Sequence, residues 1–174
     1  TFDMDNFDEY PAWLTKTADA LGGCDIFIPN VSASGAGATD DWDKCVQYDL
    51  KGTAIGAGTL EPYLEKSDNG SIVMSSTAGA ETFLVPQPYN AIKGALMTYT
   101  KQLSQHLGAK HIRVNAVSPG PIKFPGGNWE TIETAMPELY DATIGQMALG
   151  RFGSPEDVAK AVVFLASPAS SYTT

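Results

Sequence analysis

Apolar residues recur along the chain at two periods in alternation. Phe7, Tyr10, Leu14, Ala18 and Leu21 follow a helical spacing behind Asp5 or Asn6, either of which can cap a helix, and Gly22-Gly23 ends it. Ahead of that helix, Thr1-Phe2-Asp3-Met4 reads as the tail of a strand. Asp25-Ile26-Phe27-Ile28 is a short apolar run, which suits a strand covered on both faces. From Asp41 to about Leu64 the spacing is helical again, with Trp42, Cys45, Val46, Ile55 and Leu60 expected inward, and Gly52, Gly56 and Gly58 leaving room for another backbone. Ser71-Ile72-Val73-Met74 is a second buried strand. Pro88 to Leu107 is a helix with Ala91, Ala95, Leu96, Tyr99, Leu103 and Leu107 on its inner side, closed by Gly108. Ile112 to Val117 is a third strand that stops at Ser118-Pro119-Gly120-Pro121. Residues 121–150 mix Phe124, Trp129, Met136 and Tyr140 with polar positions and read as a lid. Ser154-Pro155-Glu156-Asp157 then opens a helix to about Ala166.

Strand and helix alternate throughout, which predicts a doubly wound α/β fold with a parallel sheet, in a single domain over residues 1–174. The net charge of −9, with ten acids in the first fifty residues, has the wrong sign for a phosphate-backbone binder, so no nucleic-acid partner is expected. Several of those acids, Asp40, Asp41 and Asp43 among them, fall where a helix start welcomes negative charge. No apolar run reaches the ~18 residues of a membrane-spanning helix, so no membrane partner is expected. Cys24 and Cys45 are too few for a disulfide framework; they read as small core fillers in a reducing, cytoplasmic setting. His106 and His111 flank a helix end with no carboxylate or thiol spaced to join them, and no metal site is expected.

In a doubly wound sheet the ligand sits beyond the carboxyl ends of the strands. Those ends carry Pro29-Asn30-Val31-Ser32, Ser75-Ser76-Thr77-Ala78-Gly79 and Ser118-Pro119-Gly120-Pro121-Ile122. Tyr89 and Lys93 stand one turn apart at the start of the helix between the second and third strands. A phenol is a poor acid or base near neutrality, and a neighbouring ammonium favours its phenolate, so Lys93 is expected to lower the Tyr89 pKa. Ser76 can hold a substrate oxygen while Tyr89 moves the proton. Trp129, Phe124, Phe83 and Met136 either line a substrate pocket or simply pack.

Ser76, Tyr89-Asn90-Ala91-Ile92-Lys93 thirteen residues on, and Val114-Asn115-Ala116-Val117-Ser118-Pro119-Gly120 together resemble the short-chain dehydrogenase/reductase family. The likeness runs from Asp25-Ile26-Phe27-Ile28 to Gly153-Ser154-Pro155-Glu156-Asp157-Val158-Ala159, nearly the whole chain. It implies a Rossmann-like fold and an oxidoreductase using NAD or NADP on a small-molecule secondary alcohol or ketone. Within it Tyr89 is the acid/base, Lys93 lowers the tyrosine's pKa and binds the nicotinamide ribose, and Ser76 orients the substrate oxygen. Ser75 is the alternative serine; the spacing to Tyr89 and the following Ala78-Gly79 favour Ser76. Asp3 and Met4 are implied at the adenine, Asn30, Val31 and Ser32 along the cofactor, and Ile122 at the carboxamide. A homotetramer or dimer built on the Asp41 and Pro88 helices is implied as well.

Five departures stand against this pattern. The family's Asn-Asn-Ala-Gly is here Pro29-Asn30-Val31-Ser32, and its fourth catalytic position, an asparagine, is Asp49. If the family's proton relay uses that residue's backbone carbonyl, Asp49 still serves; if it needs the amide, activity suffers. The threonine expected two places after Ile122 is Phe124. No Gly-x-x-x-Gly-x-Gly turn is present, and Ser170 to Thr174 stops where a last strand is expected, so the sequence reads as an incomplete sheet, the catalytic portion of a longer enzyme. The competing reading is an inert fragment or non-enzymatic family member that acts only in assembly. Halohydrin lyase chemistry would want an arginine in place of Lys93.

Overall fold

The computed structural model describes residues 1–33, 40–80 and 86–174. Three parallel strands, β1 (Ile26–Phe27), β2 (Ser71–Ser75) and β3 (Arg113–Val117), form a sheet in the order β1-β2-β3, with Ser71 opposite Arg113 and Ser75 opposite Val117. Helix α1 (Tyr10–Leu21) precedes β1. Next come a short α2 (Trp42–Lys44), a π-helical segment (Cys45–Lys51) and α3 (Gly52–Leu64). Helix α4 (Pro88–Leu107) joins β2 to β3. Beyond β3 lie α5 (Asn128–Ala135), α6 (Pro137–Gln146) and α7 (Pro155–Ala166).

Alternation along β2 divides its side chains between two layers. Ile72 and Met74 join Leu14, Ala18, Leu60, Leu64, Leu107 and Val114 in one core beneath α1, α3 and α4. Ser71 points the other way and donates to the Leu165 carbonyl of α7 at 3.3 Å. Close approach of α3 to the sheet depends on Gly56, where an added Cβ would lie 2.5 Å from the Phe27 ring and 3.2 Å from the Tyr10 hydroxyl. Gly52 takes the Met4 side chain in the same way, whereas nothing approaches Gly58.

Several elements depart from their sequence pattern. Thr1-Phe2-Asp3 joins no ladder; Asp3 instead caps a 3-10 turn over Met4–Glu9 by accepting from the Asp5 N–H. Strand β1 is two residues long, not four, and Ile26 and Ile28 are exposed because β1 forms the edge of the described sheet. Trp42, at the first position of α2, is exposed. On α4 the inner face is Ile92, Lys93, Leu96, Thr100, Ser104 and Leu107; Ala91 and Ala95 face out. Gly108 keeps helical dihedrals, and the reversal that ends α4 falls at His111, with φ 58°. Leu21 is exposed although Gly22, at φ 80°, ends α1 where expected.

Residues 121–150 form two short helices packed on each other, neither of which buries a residue fully. They are tied down at their base. Lys123 donates to Glu133 at 2.6 Å and to the Tyr140 hydroxyl at 3.0 Å, and Phe152 packs against the rings of Trp129 and Tyr140. Among the described residues no helix is long and apolar enough to cross a membrane, and no cluster of three metal-ligating side chains occurs.

Candidate active site

Pairing between β2 and β3 continues past the strands: Ser76 N–H donates to the Val117 carbonyl at 2.8 Å and Ala78 N–H to the Pro119 carbonyl at 2.9 Å. The two loops are therefore delivered side by side at one sheet end. Proline at the first position of α4 starts that helix with a preset φ, which fixes Tyr89 and Lys93 one turn apart above the loops. Lys93 is 3% exposed. Its ammonium donates to the Ser75 carbonyl at 2.8 Å and pairs with Asp49 Oδ1 at 3.0 Å. The Tyr89 ring centroid lies 5.5 Å from the same nitrogen.

Asp49 reaches this place from the π segment. There Gly52 N–H donates to the Gln47 carbonyl, five residues back, and the widened turn is of the kind that recurs at functional sites. Only 1% of Asp49 is exposed, and its two oxygens look in different directions: Oδ1 to Lys93, Oδ2 to the Ala33 N–H at 2.9 Å. The Oδ1 contact is an ion pair by distance without a well-aligned hydrogen bond. Two buried charges are tolerated here because each has the other, plus a backbone partner. The Asp49 carbonyl accepts from the Thr53 hydroxyl at 2.7 Å.

Tyr89 does not have the lowered pKa its neighbour suggested. Burial pushes the phenol up, the Asp49 carboxylate pushes further in the same direction, a hydrogen bond from Thr77 opposes, and Cys45 adds a small upward push. The ammonium expected to favour the phenolate is matched by a carboxylate that the helical spacing does not reveal. The Cys45 thiol is itself raised by burial and by Asp49, and so stays neutral.

Ser76 is 2% exposed and its hydroxyl donates to the Lys93 carbonyl at 2.9 Å; the hydroxyl bonded to Tyr89 is that of Thr77. From the sequence, Thr77 and Thr53 have no part in the site and Cys45 reads only as a core filler. Thr77 had a readable signal in being the next hydroxyl past the strand end, while the other two depend on the π turn.

The residues implied along a cofactor are less uniform. Asn30 and Val31 are exposed and Ser32 is half-buried on the loop after β1, and Ala33 ties that loop to Asp49. Ile122 forms a parallel bridge with Gly153, where an added Cβ would meet the Ile122 side chain at 2.6 Å. Asp3 and Met4 lie near the π segment: Met4 is buried beside Gly52, and its carbonyl accepts from Gln47 Nε2 at 3.0 Å. Nearby, the Tyr48 hydroxyl donates to Asp5, which pushes its pKa up to about 12. Phe124 packs over Gly127. Phe83 and residues 34–39 lie outside the described residues.

A family model described as enoyl-(acyl carrier protein) reductase matches residues 1–174. The chain belongs to the short-chain dehydrogenase/reductase family. It is 38% identical over 165 residues to an isoepoxydon dehydrogenase of Aspergillus clavatus, covering 93% of this chain and 64% of that protein. A 7alpha-hydroxysteroid dehydrogenase of Clostridium sardiniense is 32% identical, over 96% of this chain and 66% of the relative. The chain thus spans about two thirds of the length of these curated relatives. Among solved structures, a short-chain alcohol dehydrogenase from Sinorhizobium meliloti superposes with a TM-score of 0.84 at 26% identity, covering 99% of this chain and 69% of that one. A 3-oxoacyl-(acyl-carrier protein) reductase from Brucella melitensis, solved with bound NAD, gives 0.77 at 28% identity, over 95% and 63%. The family's doubly wound architecture accounts for the parallel three-stranded sheet and its flanking helices.

Proposed function

We propose that this chain carries the catalytic portion of an NAD(P)-dependent oxidoreductase that interconverts a secondary alcohol and a ketone. The observation that carries the reading is the convergence of Tyr89, a buried Lys93 and the Ser76 and Thr77 hydroxyls at the carboxyl end of a parallel sheet. Membership in a family of named dehydrogenases and reductases supports it.

The donor set suits the nicotinamide end of a dinucleotide. An ammonium has three N–H donors, of which Ser75 occupies one at Lys93 while Asp49 pairs with it by charge, leaving a donor for a ribose hydroxyl. The Ile122–Gly153 bridge offers a fixed backbone edge for a carboxamide. When bound, the nicotinamide supplies or accepts the hydride. The protein's own residues handle the oxygen and its proton. Ser76 turns its hydroxyl from the Lys93 carbonyl to the substrate oxygen, and Tyr89 gives its proton to that oxygen as the carbonyl is reduced, or takes it back in oxidation. Residues 121–150 close over the substrate.

The enzyme is read as cytoplasmic, where Cys24 and Cys45 stay reduced, and as a homo-oligomer, dimer or tetramer, built on the outer faces of the Asp41 and Pro88 helices. The deciding experiment is Tyr89→Phe in the full-length protein, followed by nicotinamide absorbance with a panel of small ketones and alcohols. Turnover is expected to fall by about 10²- to 10⁴-fold with cofactor binding retained; turnover equal to wild type would refute the reading.

A further inference from the structure

Resting on that reading of Tyr89, we propose that Asp49 is a positioning residue: its carboxylate, clasped between the Lys93 ammonium and the Ala33 N–H, cancels the lysine's charge and holds Tyr89 in its protonated, proton-donating form.

Both partners of Asp49 are donors, and they approach different oxygens. A carboxylate suits both, accepting a hydrogen bond from Ala33 at one oxygen and facing the ammonium with the other. An amide has one acceptor, so its NH₂ would face either the ammonium or the Ala33 N–H, leaving one buried donor unpaired. The local geometry therefore selects an acid here. It also links the loop after β1, which carries Asn30, Val31 and Ser32, to the lysine beside the reacting tyrosine.

The charge count around the phenol follows. Among the described residues, the groups facing Tyr89 are Asp49 and Cys45 from the π segment, Lys93 from α4 and Thr77 from the loop after β2. Until the raised Cys45 thiol ionises it carries no charge, and Thr77 does not titrate, so near neutral pH the charges beside the phenol are those of Lys93 and Asp49, which cancel. At 3% and 1% exposure neither charge is screened by water. Without the carboxylate, a bare ammonium would favour the phenolate. Carbonyl reduction consumes the phenol's proton, whereas alcohol oxidation needs the phenolate, so Asp49 extends the pH range over which the site is loaded for reduction.

The test is Asp49→Asn in the full-length protein, with two readouts. The alkaline fall in kcat/KM for reduction should move to lower pH by on the order of one unit. Without cofactor or substrate, the near-ultraviolet phenolate titration of Tyr89, taken as the difference from a Tyr89→Phe counterpart, should move the same way. Combining Asp49→Asn with Lys93→Met restores zero net charge and should return the spectroscopic midpoint toward wild type. An unchanged midpoint in Asp49→Asn overturns the proposal, as does a double variant no closer to wild type than the single one. If Asp49→Asn alone does not fold, Lys93→Met and the double variant are compared instead: the carboxylate kept in Lys93→Met should hold its Tyr89 midpoint above that of the double variant, and equal midpoints overturn the proposal. The spectroscopic arm is independent of turnover, so it separates this proposal from the assignment of Tyr89 as the acid/base.

Discussion

Arg113 donates to the Ser170 hydroxyl at 2.5 Å and to the Ser170 carbonyl at 3.2 Å. The same nitrogen also reaches the Leu165 carbonyl, and the other reaches the Ala166 and Ser167 carbonyls and Asn69 Oδ1, so one side chain on β3 gathers the carbonyls where α7 ends. Replacing Arg113 with Met should destabilise the fold by about 1–3 kcal/mol, because the charge-assisted bonds are lost while the carbonyls keep only neutral donors such as Ser71, Ser170 and Asn69. Lys should recover less than half of that, having no planar fork. Urea unfolding with a shared m-value is the measurement.

Gly56 and Gly58 lie on one helix and should respond in opposite senses to alanine. The Gly56→Ala methyl collides with the Phe27 ring and should cost about 1–3 kcal/mol. Gly58 is exposed with nothing near it, and Gly58→Ala should stabilise by up to about 1 kcal/mol through helix propensity. Thermal melts of the two variants check the pair.

The two hydroxyls after β2 should separate kinetically. Ser76→Ala should lower kcat by about 10²-fold if this hydroxyl holds the developing alkoxide. Thr77→Val removes the hydrogen bond that favours the Tyr89 phenolate. Its main effect should be an alkaline shift in the reduction profile with a much smaller loss of kcat, and equal losses in the two variants would reject the distinction.

At the start of α7, Asp157 closes a capping box with Ser154, and the Arg151 guanidinium, with help from the Ser154 N–H, holds its carboxyl down to about 2. The folded state thus binds the proton less tightly than the unfolded chain does. The resulting stability is present above the ordinary carboxylate pKa of 3.8 and is lost as pH falls through about 2. Asp157→Asn should flatten the acid side of a Tm-versus-pH curve and leave its alkaline side unchanged.

Helix α4 was legible from the sequence to both ends, because Pro88, Leu107 and the apolar spacing between them are local signals. The capping box at Ser154 was legible for the same reason. What escaped depended on distant partners. Nothing near Tyr89 and Lys93 in the sequence announces that the phenol is buried or that Asp49 sits against the ammonium, so the direction of the Tyr89 shift came out opposite to the expectation. The apolar pattern from Cys45 to Leu64 could not reveal that its first part winds as a π-helix, since one extra residue per turn leaves the hydrophobic count unchanged. Ile26 and Ile28 were expected under cover on both sides, but apolar composition cannot distinguish an edge strand from an inner one.

The wide turn at Cys45–Lys51 also determines how this helix tolerates changes in length. An α-helix advances about 100° per residue. Deleting one residue within the turn would restore regular hydrogen bonding but rotate everything before it against everything after it by about that angle. Either Cys45 and Asp49 would leave the lysine, or Gly52 and Gly56 would swing away from Met4 and Phe27. No single helical phase serves both halves, so a shortened, more regular helix would be the less functional one.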